Sequence, residues 1–194
     1  RRAIDQLGVE VARPQLDVVL ALDRAGIVGK DGPTHHGTLD ISYGRMVPGV
    51  RMLAPSDTRE LRSALKTALA LGGPFIVRYP RATEKAVAQG DGELLACGRA
   101  RVVREGADAA ILSFGTLLNR AMEAAELLAG QGVDVRVVDM RWVKPLDAEA
   151  IAAAAATRLV VTLEEGTVCG GAGEGVLAEL SRMGCAVPTL VLGI

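Results

Sequence analysis

The chain has 194 residues, 49% of them hydrophobic and 23% charged, with a formal net charge of −1. That is ample apolar content for a packed core and excludes a disordered, highly charged chain, on a length that suits one large domain or two small ones. The balanced charge excludes a global field for nucleic acid or an anionic membrane, so any anion site must be local, and no apolar run reaches the roughly 18 to 20 residues of a membrane helix.

Leu16 to Leu22 reads as a continuous apolar strand, and the segment after it, DRAGIVGKDGPTHHG (23–37), as a glycine-rich loop ending in the chain's two histidines. Arg51 to Ala54 is a short strand. Asp57, with Glu60 three residues on, marks a capping box for the following helix, where Leu61, Ala64, Leu65, Ala68 and Leu69 recur at helical spacing and predict its buried face. Phe75 to Tyr79 returns as a strand and Pro80 ends it. Periodicity fails over 83–96, which reads as a linker.

A second unit follows. Gly98 to Val103 and Ala109 to Phe114 flank the turn EGAD and suggest a hairpin. Leu117, Leu118, Ala121, Ala125 and Leu128 predict a helix, Val133 to Val138 a strand, and Asp147 the cap of an alanine-rich helix ending near Thr157. Leu159 to Leu163 is a strand, Gly173 to Met183 the last helix, and Val187 to Leu192 the final strand. Strand and helix alternate, which predicts an α/β fold of two mainly parallel-sheet units. Cys97, Cys169 and Cys185 fit neither a disulfide framework nor a CxxC metal cluster, so a reducing cytoplasm, or an organelle like it, is the expected setting.

The loop at 23–37 is the first candidate site, because ligands of open parallel sheets sit beyond the carboxyl ends of the strands. His35 and His36 can give and take protons near neutral pH; a hydrogen-bonded loop pair without catalytic duty is the alternative. Arg24 and Arg81 lie at strand ends, where a guanidinium fork matches a phosphate, although Asp23 could satisfy Arg24 alone. Asp31 is a site residue or a turn-former in Lys30-Asp31-Gly32-Pro33. Tyr43 and Arg45 read as packing and surface charge, and Arg78 as structural. GGAGEG (170–175) opens a helix and could cradle a phosphate, but Glu164, Glu165 and Glu174 would repel one, and close helix-to-strand packing explains it better.

RRAIDQ (1–6), DRAGIVGKDGPTHHG (23–37), DISYGRMVPGV (40–50), APSD (54–57), VRYPRA (77–82), ILSFGT (111–116), VVDMRWVKPLD (137–147) and EEGTVCGGAGEGV (164–176) together resemble the 1-deoxy-D-xylulose-5-phosphate synthase family of transketolase-type, thiamine-diphosphate enzymes. DGPTH is shared with transketolases, whereas DRAG is similar to the synthases in particular. The resemblance implies that 1–82 is the latter part of a pyrimidine-binding domain, 83–96 a linker and 97–194 most of a carboxyl-terminal domain. It implies decarboxylation of pyruvate and transfer of the two-carbon unit to D-glyceraldehyde 3-phosphate, for isoprenoid, thiamine and pyridoxal phosphate synthesis.

By the same resemblance His35 handles protons beside Asp31, His36 is a neighbour, and Arg2, Arg24 and Arg81 hold the acceptor's phosphate. Trp142 and Lys144 are structural. The ligands for thiamine diphosphate and magnesium belong to an amino-terminal domain outside this sequence, so the chain is read as a carboxyl-terminal fragment, inactive alone, of a homodimeric enzyme of the cytoplasm or a plastid. The rivals are another enzyme of the superfamily, with a different acceptor, and a non-catalytic assembly module.

Overall fold

The computed structural model describes residues 3–29, 31–81 and 92–194, so Arg2 and most of the expected linker lie outside the described residues. Six α-helices are described, α1 (Ile4–Gln6), α2 (Asp40–Met46), α3 (Thr58–Leu71), α4 (Leu118–Ala129), α5 (Ala148–Ala154) and α6 (Ala172–Arg182), and the strands described form two sheets. The first has the order β1 (Val19–Leu22), β3 (Phe75–Arg78), β2 (Arg51–Leu53) and β7 (Trp142–Lys144); the second has β4 (Arg101–Arg104), β6 (Val135–Asp139), β5 (Ala109–Ser113), β8 (Val160–Leu163) and β9 (Thr189–Leu192). Neighbours pair in parallel except β7 on β2 and β4 on β6.

Side-chain alternation explains why the strands read as unbroken apolar runs. Met52 and Ile76 face one cluster while Leu53, Phe75 and Val77 face another, under α3 (Thr58–Leu71). Ala110 and Leu112 face the first cluster, and Ile111 faces a third under α4 (Leu118–Ala129). Both faces of each sheet are covered, as parallel strands require. The first cluster joins Ile41 and Met52 to Phe114, Met140 and Val176, so one core serves both units.

Two expectations change, and one strand arises that the sequence did not announce. β4 and β5 do not form a hairpin: the chain passes over the start of β6, with Gly106 against the Val135–Arg136 peptide and Asp134 accepting from Ala107 N, and β4 pairs with β6 instead. Strand β5, buried along most of its length, takes a parallel partner on each side, which leaves the half-exposed β4 for an edge. The buried face of α3 is also rotated. Asp57 caps the helix as expected, accepting from Arg59 N and Glu60 N, but Glu60, Ser63, Ala64, Thr67 and Ala68 face inward and Leu69 is 75% exposed. Polar groups can occupy that face where partners meet them: Thr67 Oγ1 accepts from Leu95 N and donates to Ser63 O. Finally, β7 belongs to the first sheet although it lies far along the chain. Trp142 is fully buried, its ring 6.1 Å from that of Phe75.

A buried ionic group lies where the sheets meet. Asp139 Oδ2 accepts from Ser56 Oγ and from Arg101 Nη2, each at 2.9 Å. Arg141 Nε stands 2.6 Å from Glu60 Oε1, out of line for a hydrogen bond, and its Nη2 reaches Oε2 at 3.5 Å. Burial pushes the Asp139 and Glu60 carboxyls above their ordinary values against the pull of the arginines.

Candidate functional site

The 23–37 loop is closed at its neck by two backbone hydrogen bonds, Gly26 N to Gly37 O at 3.1 Å and Gly37 N to Gly26 O at 2.9 Å. Only glycine fits at 37: a Cβ there would lie 2.3 Å from Arg24 O and 2.5 Å from Asp40 Oδ2. Inside the loop, Pro33–His35 forms a short 3₁₀ turn, and Val28 N donates to His36 Nδ1 at 3.1 Å. His36 is thereby spent on loop structure. His35 is exposed, with Thr34 Oγ1 at 3.2 Å from its Nδ1.

The charged residues converge. Arg24 Nε and Arg81 Nη1 lie 2.9 and 3.2 Å from the same oxygen, Asp31 Oδ2, and Arg24 Nη1 also donates to Asp23. The hydrogen bond from Arg24, followed by the charge of Arg81, holds the Asp31 carboxyl below its ordinary value; that bond and the charge of Asp23 raise Arg24. Arg24 itself has φ of 60°, a left-handed conformation that costs a non-glycine residue about 1 to 2 kcal/mol. Beside this cluster, Asp23, Arg24, Thr34, His35, His36 and Asp40 line an open basin of about 470 Å³. Thus His35, Asp31, Arg24 and Arg81 share one end of the first sheet, beyond β1 and β3. Arg2 lies outside the described residues.

Two residues carry more than the sequence suggested. Arg78, read there only as structural, is 2% exposed and donates through Nη2 to Gly37 O at 3.0 Å and to Glu165 O at 3.1 Å. Glu164 caps α6 (Ala172–Arg182), accepting from Ala172 N and Gly173 N, so its own carboxylate occupies the place an anion would take. A Cβ on Gly173 would lie 2.4 Å from Val191 Cγ1, which bears out close packing as the reason for the glycine-rich segment. Trp142 and Lys144 have the structural roles expected; Lys144 Nζ donates to the carbonyls of Arg45 and Val47. Among the described residues no group of three or more His, Cys, Asp and Glu is placed to hold a metal ion, and no helix is long and apolar enough to cross a membrane.

Comparison with known proteins covers this arrangement from end to end. Residues 2–85 match the transketolase pyrimidine-binding domain and residues 98–193 the transketolase C-terminal domain. The chain is similar along its full length to 1-deoxy-D-xylulose-5-phosphate synthases, at 48% identity to that of Nitrosospira multiformis and 50% to that of Chromobacterium violaceum, and spans 31% of each. A solved chain of a split-gene transketolase, described as an inactive β4 tetramer, superposes with a TM-score of 0.92 at 32% identity, over all of this chain and 62% of its own length. A two-sheet α/β fold with the charged loop at a sheet end, two family models that between them take in nearly every residue, and relatives alike along the whole sequence make this chain a member of the transketolase family.

Proposed function

We propose that this chain forms the acceptor-binding part of a 1-deoxy-D-xylulose-5-phosphate synthase, which joins pyruvate to D-glyceraldehyde 3-phosphate with loss of carbon dioxide. One observation carries the reading: the guanidinium groups of Arg24 and Arg81 converge on a single anionic oxygen on an open face. A phosphate monoester offers more charge and more oxygens than the Asp31 carboxylate and can take its place, because arginine forks recognise phosphate bidentately. Displacement of Asp31 leaves it beside the bound acceptor. His35, exposed on the adjoining basin, then gives or takes a proton at the aldehyde oxygen of the acceptor.

When bound, thiamine diphosphate supplies the electron sink for decarboxylation. Its magnesium and diphosphate would be held by residues outside this chain; among the described residues no group of three or more His, Cys, Asp and Glu is placed to hold a metal ion. The resemblance to the synthases supports a homodimeric, cytoplasmic enzyme and a product, 1-deoxy-D-xylulose 5-phosphate, that feeds isoprenoid, thiamine and pyridoxal phosphate synthesis. Residues 1–82 and 97–194 are assigned as two domains joined by 83–96, although β7 of the latter lies in the sheet of the former.

A second reading, an assembly module without catalysis of its own, is favoured by the likeness to a transketolase chain from an inactive tetramer. One pair of assays separates them. The full coding-length protein, given thiamine diphosphate, magnesium, pyruvate and D-glyceraldehyde 3-phosphate, is expected to release carbon dioxide and form the five-carbon product, while the 194-residue chain alone does neither. Turnover by the isolated chain would contradict the proposed division of labour; no turnover by the full protein would favour the module.

A further inference from the structure

We propose that Arg78 is a positioning residue for the acceptor site, clamping the neck of the 23–37 loop to the second unit. The inference rests on the reading above only for what the loop binds. Arg78 ends β3, yet its side chain turns inward and is almost wholly out of water. Its Nε faces Asp40 Oδ2 at 3.8 Å, too far for a hydrogen bond. Burying a guanidinium is costly unless it is hydrogen-bonded, and a neutral apolar residue would fill the same space without that cost.

What Arg78 gains is set by the two carbonyls it binds. Gly37 O belongs to the loop neck, where it also accepts from Gly26 N. Glu165 O belongs to the segment after β8 of the second sheet. Neighbouring contacts run across the same seam: Thr167 N donates to Thr38 O at 2.8 Å, and Glu165 Cβ lies 3.1 Å from where a Cβ on Gly26 would stand, while Thr116 Oγ1 donates to the Glu165 carboxylate at 3.0 Å from within the second unit. From the other side, Ala25 N donates to Tyr79 O, next to Arg78. Arg24 immediately precedes this neck and holds a left-handed conformation that persists only where its surroundings fix it. The second unit therefore shapes the acceptor site through Arg78 without lending it a side chain.

The test uses Arg78→Met and Arg78→Lys in the full-length enzyme, read by hydrogen exchange and by steady-state kinetics. Loss of the clamp is expected to speed exchange in the 24–37 segment about tenfold while Phe75–Arg78 and Ala109–Ser113 stay protected, and to raise KM for D-glyceraldehyde 3-phosphate about tenfold with KM for pyruvate unchanged. Lysine keeps the charge and one donor path, so Arg78→Lys should fall between wild type and Arg78→Met; it carries both readouts if the methionine variant does not fold. Unchanged exchange in the loop overturns the proposal, and so does equal acceleration in loop and strands with both KM values altered, the mark of general destabilisation. Should the wild-type enzyme not use these substrates, the reading of the site fails, while hydrogen exchange still decides whether Arg78 positions the loop.

Discussion

On the open end of the first sheet Arg24 and Arg81 converge on Asp31, whereas between the sheets Arg101 and Arg141 meet Asp139 and Glu60 out of water. The residue types are the same and the consequences are opposite. In the open cluster the arginines dominate and hold the Asp31 carboxyl down; in the buried one desolvation dominates and raises Asp139 and Glu60. Exposed ion pairs contribute little to stability, so they can be exchanged for an incoming anion at small cost. A buried pair cannot be opened so cheaply, since removing one partner strands the other. Burial thus separates a charge cluster that can bind from one that can only hold the two units together.

The largest expected effect is on rate, in the open region. His35→Ala in the full enzyme should lower turnover by roughly 10² to 10⁴, the usual contribution of a positioned acid or base, with thermal stability unchanged. His36→Ala should do the reverse, loosening the loop that its Nδ1 ties to Val28 while costing much less turnover. Near-normal turnover in the His35 variant would remove it from the site. Next comes the buried region: Asp139→Ala leaves Arg101 without its carboxylate and should destabilise the fold by about 3 to 5 kcal/mol in chemical denaturation. A loss as small as that of a surface pair would erase the contrast.

The smallest effect is in pH dependence, and its sign differs between the clusters. Asp31, depressed when folded, contributes stability that is present above its ordinary value of 3.8 and lost as pH falls through its folded value. Glu60 and Asp139, raised when folded, contribute most below their ordinary values of 4.5 and 3.8 and lose that contribution as pH rises toward their folded values. Denaturation over a pH series should therefore show Asp31→Asn flattening the loss of stability on the acid side and Glu60→Gln flattening the decline above it. Changes of the same sign in both would contradict the assignment of causes.

The sequence disclosed what is local. Asp57 and Asp147 cap their helices where spacing placed them, and of the loop glycines Gly37 sits where the backbone comes close to itself. The resemblance singled out Arg24, Asp31 and Arg81, and the fold brings both guanidinium groups onto one oxygen of Asp31. What sequence reading missed depends on partners far along the chain. β7 is three residues long and pairs with Met52 and Leu53, with no local pattern to announce it. Arg78 reads as structural, but what it holds is set by the carbonyl of Glu165, 87 residues away. The slipped face of α3 has the same origin, because Glu60 and Thr67 become core residues only through Arg141 and Leu95.

The most direct measurement is the steady-state kinetics of Arg24→Ala, Arg81→Ala and the double variant with D-glyceraldehyde 3-phosphate and with unphosphorylated glyceraldehyde. A charge-assisted hydrogen bond contributes roughly 1.5 to 3 kcal/mol, so each single change should reduce kcat/KM for the phosphorylated acceptor by roughly ten- to a hundredfold. The double variant should lose less than the summed free energies, since both arginines grip one group. Unphosphorylated glyceraldehyde should be used equally well by all four enzymes; an equal loss with both acceptors, or no loss with the phosphorylated one, would contradict the account.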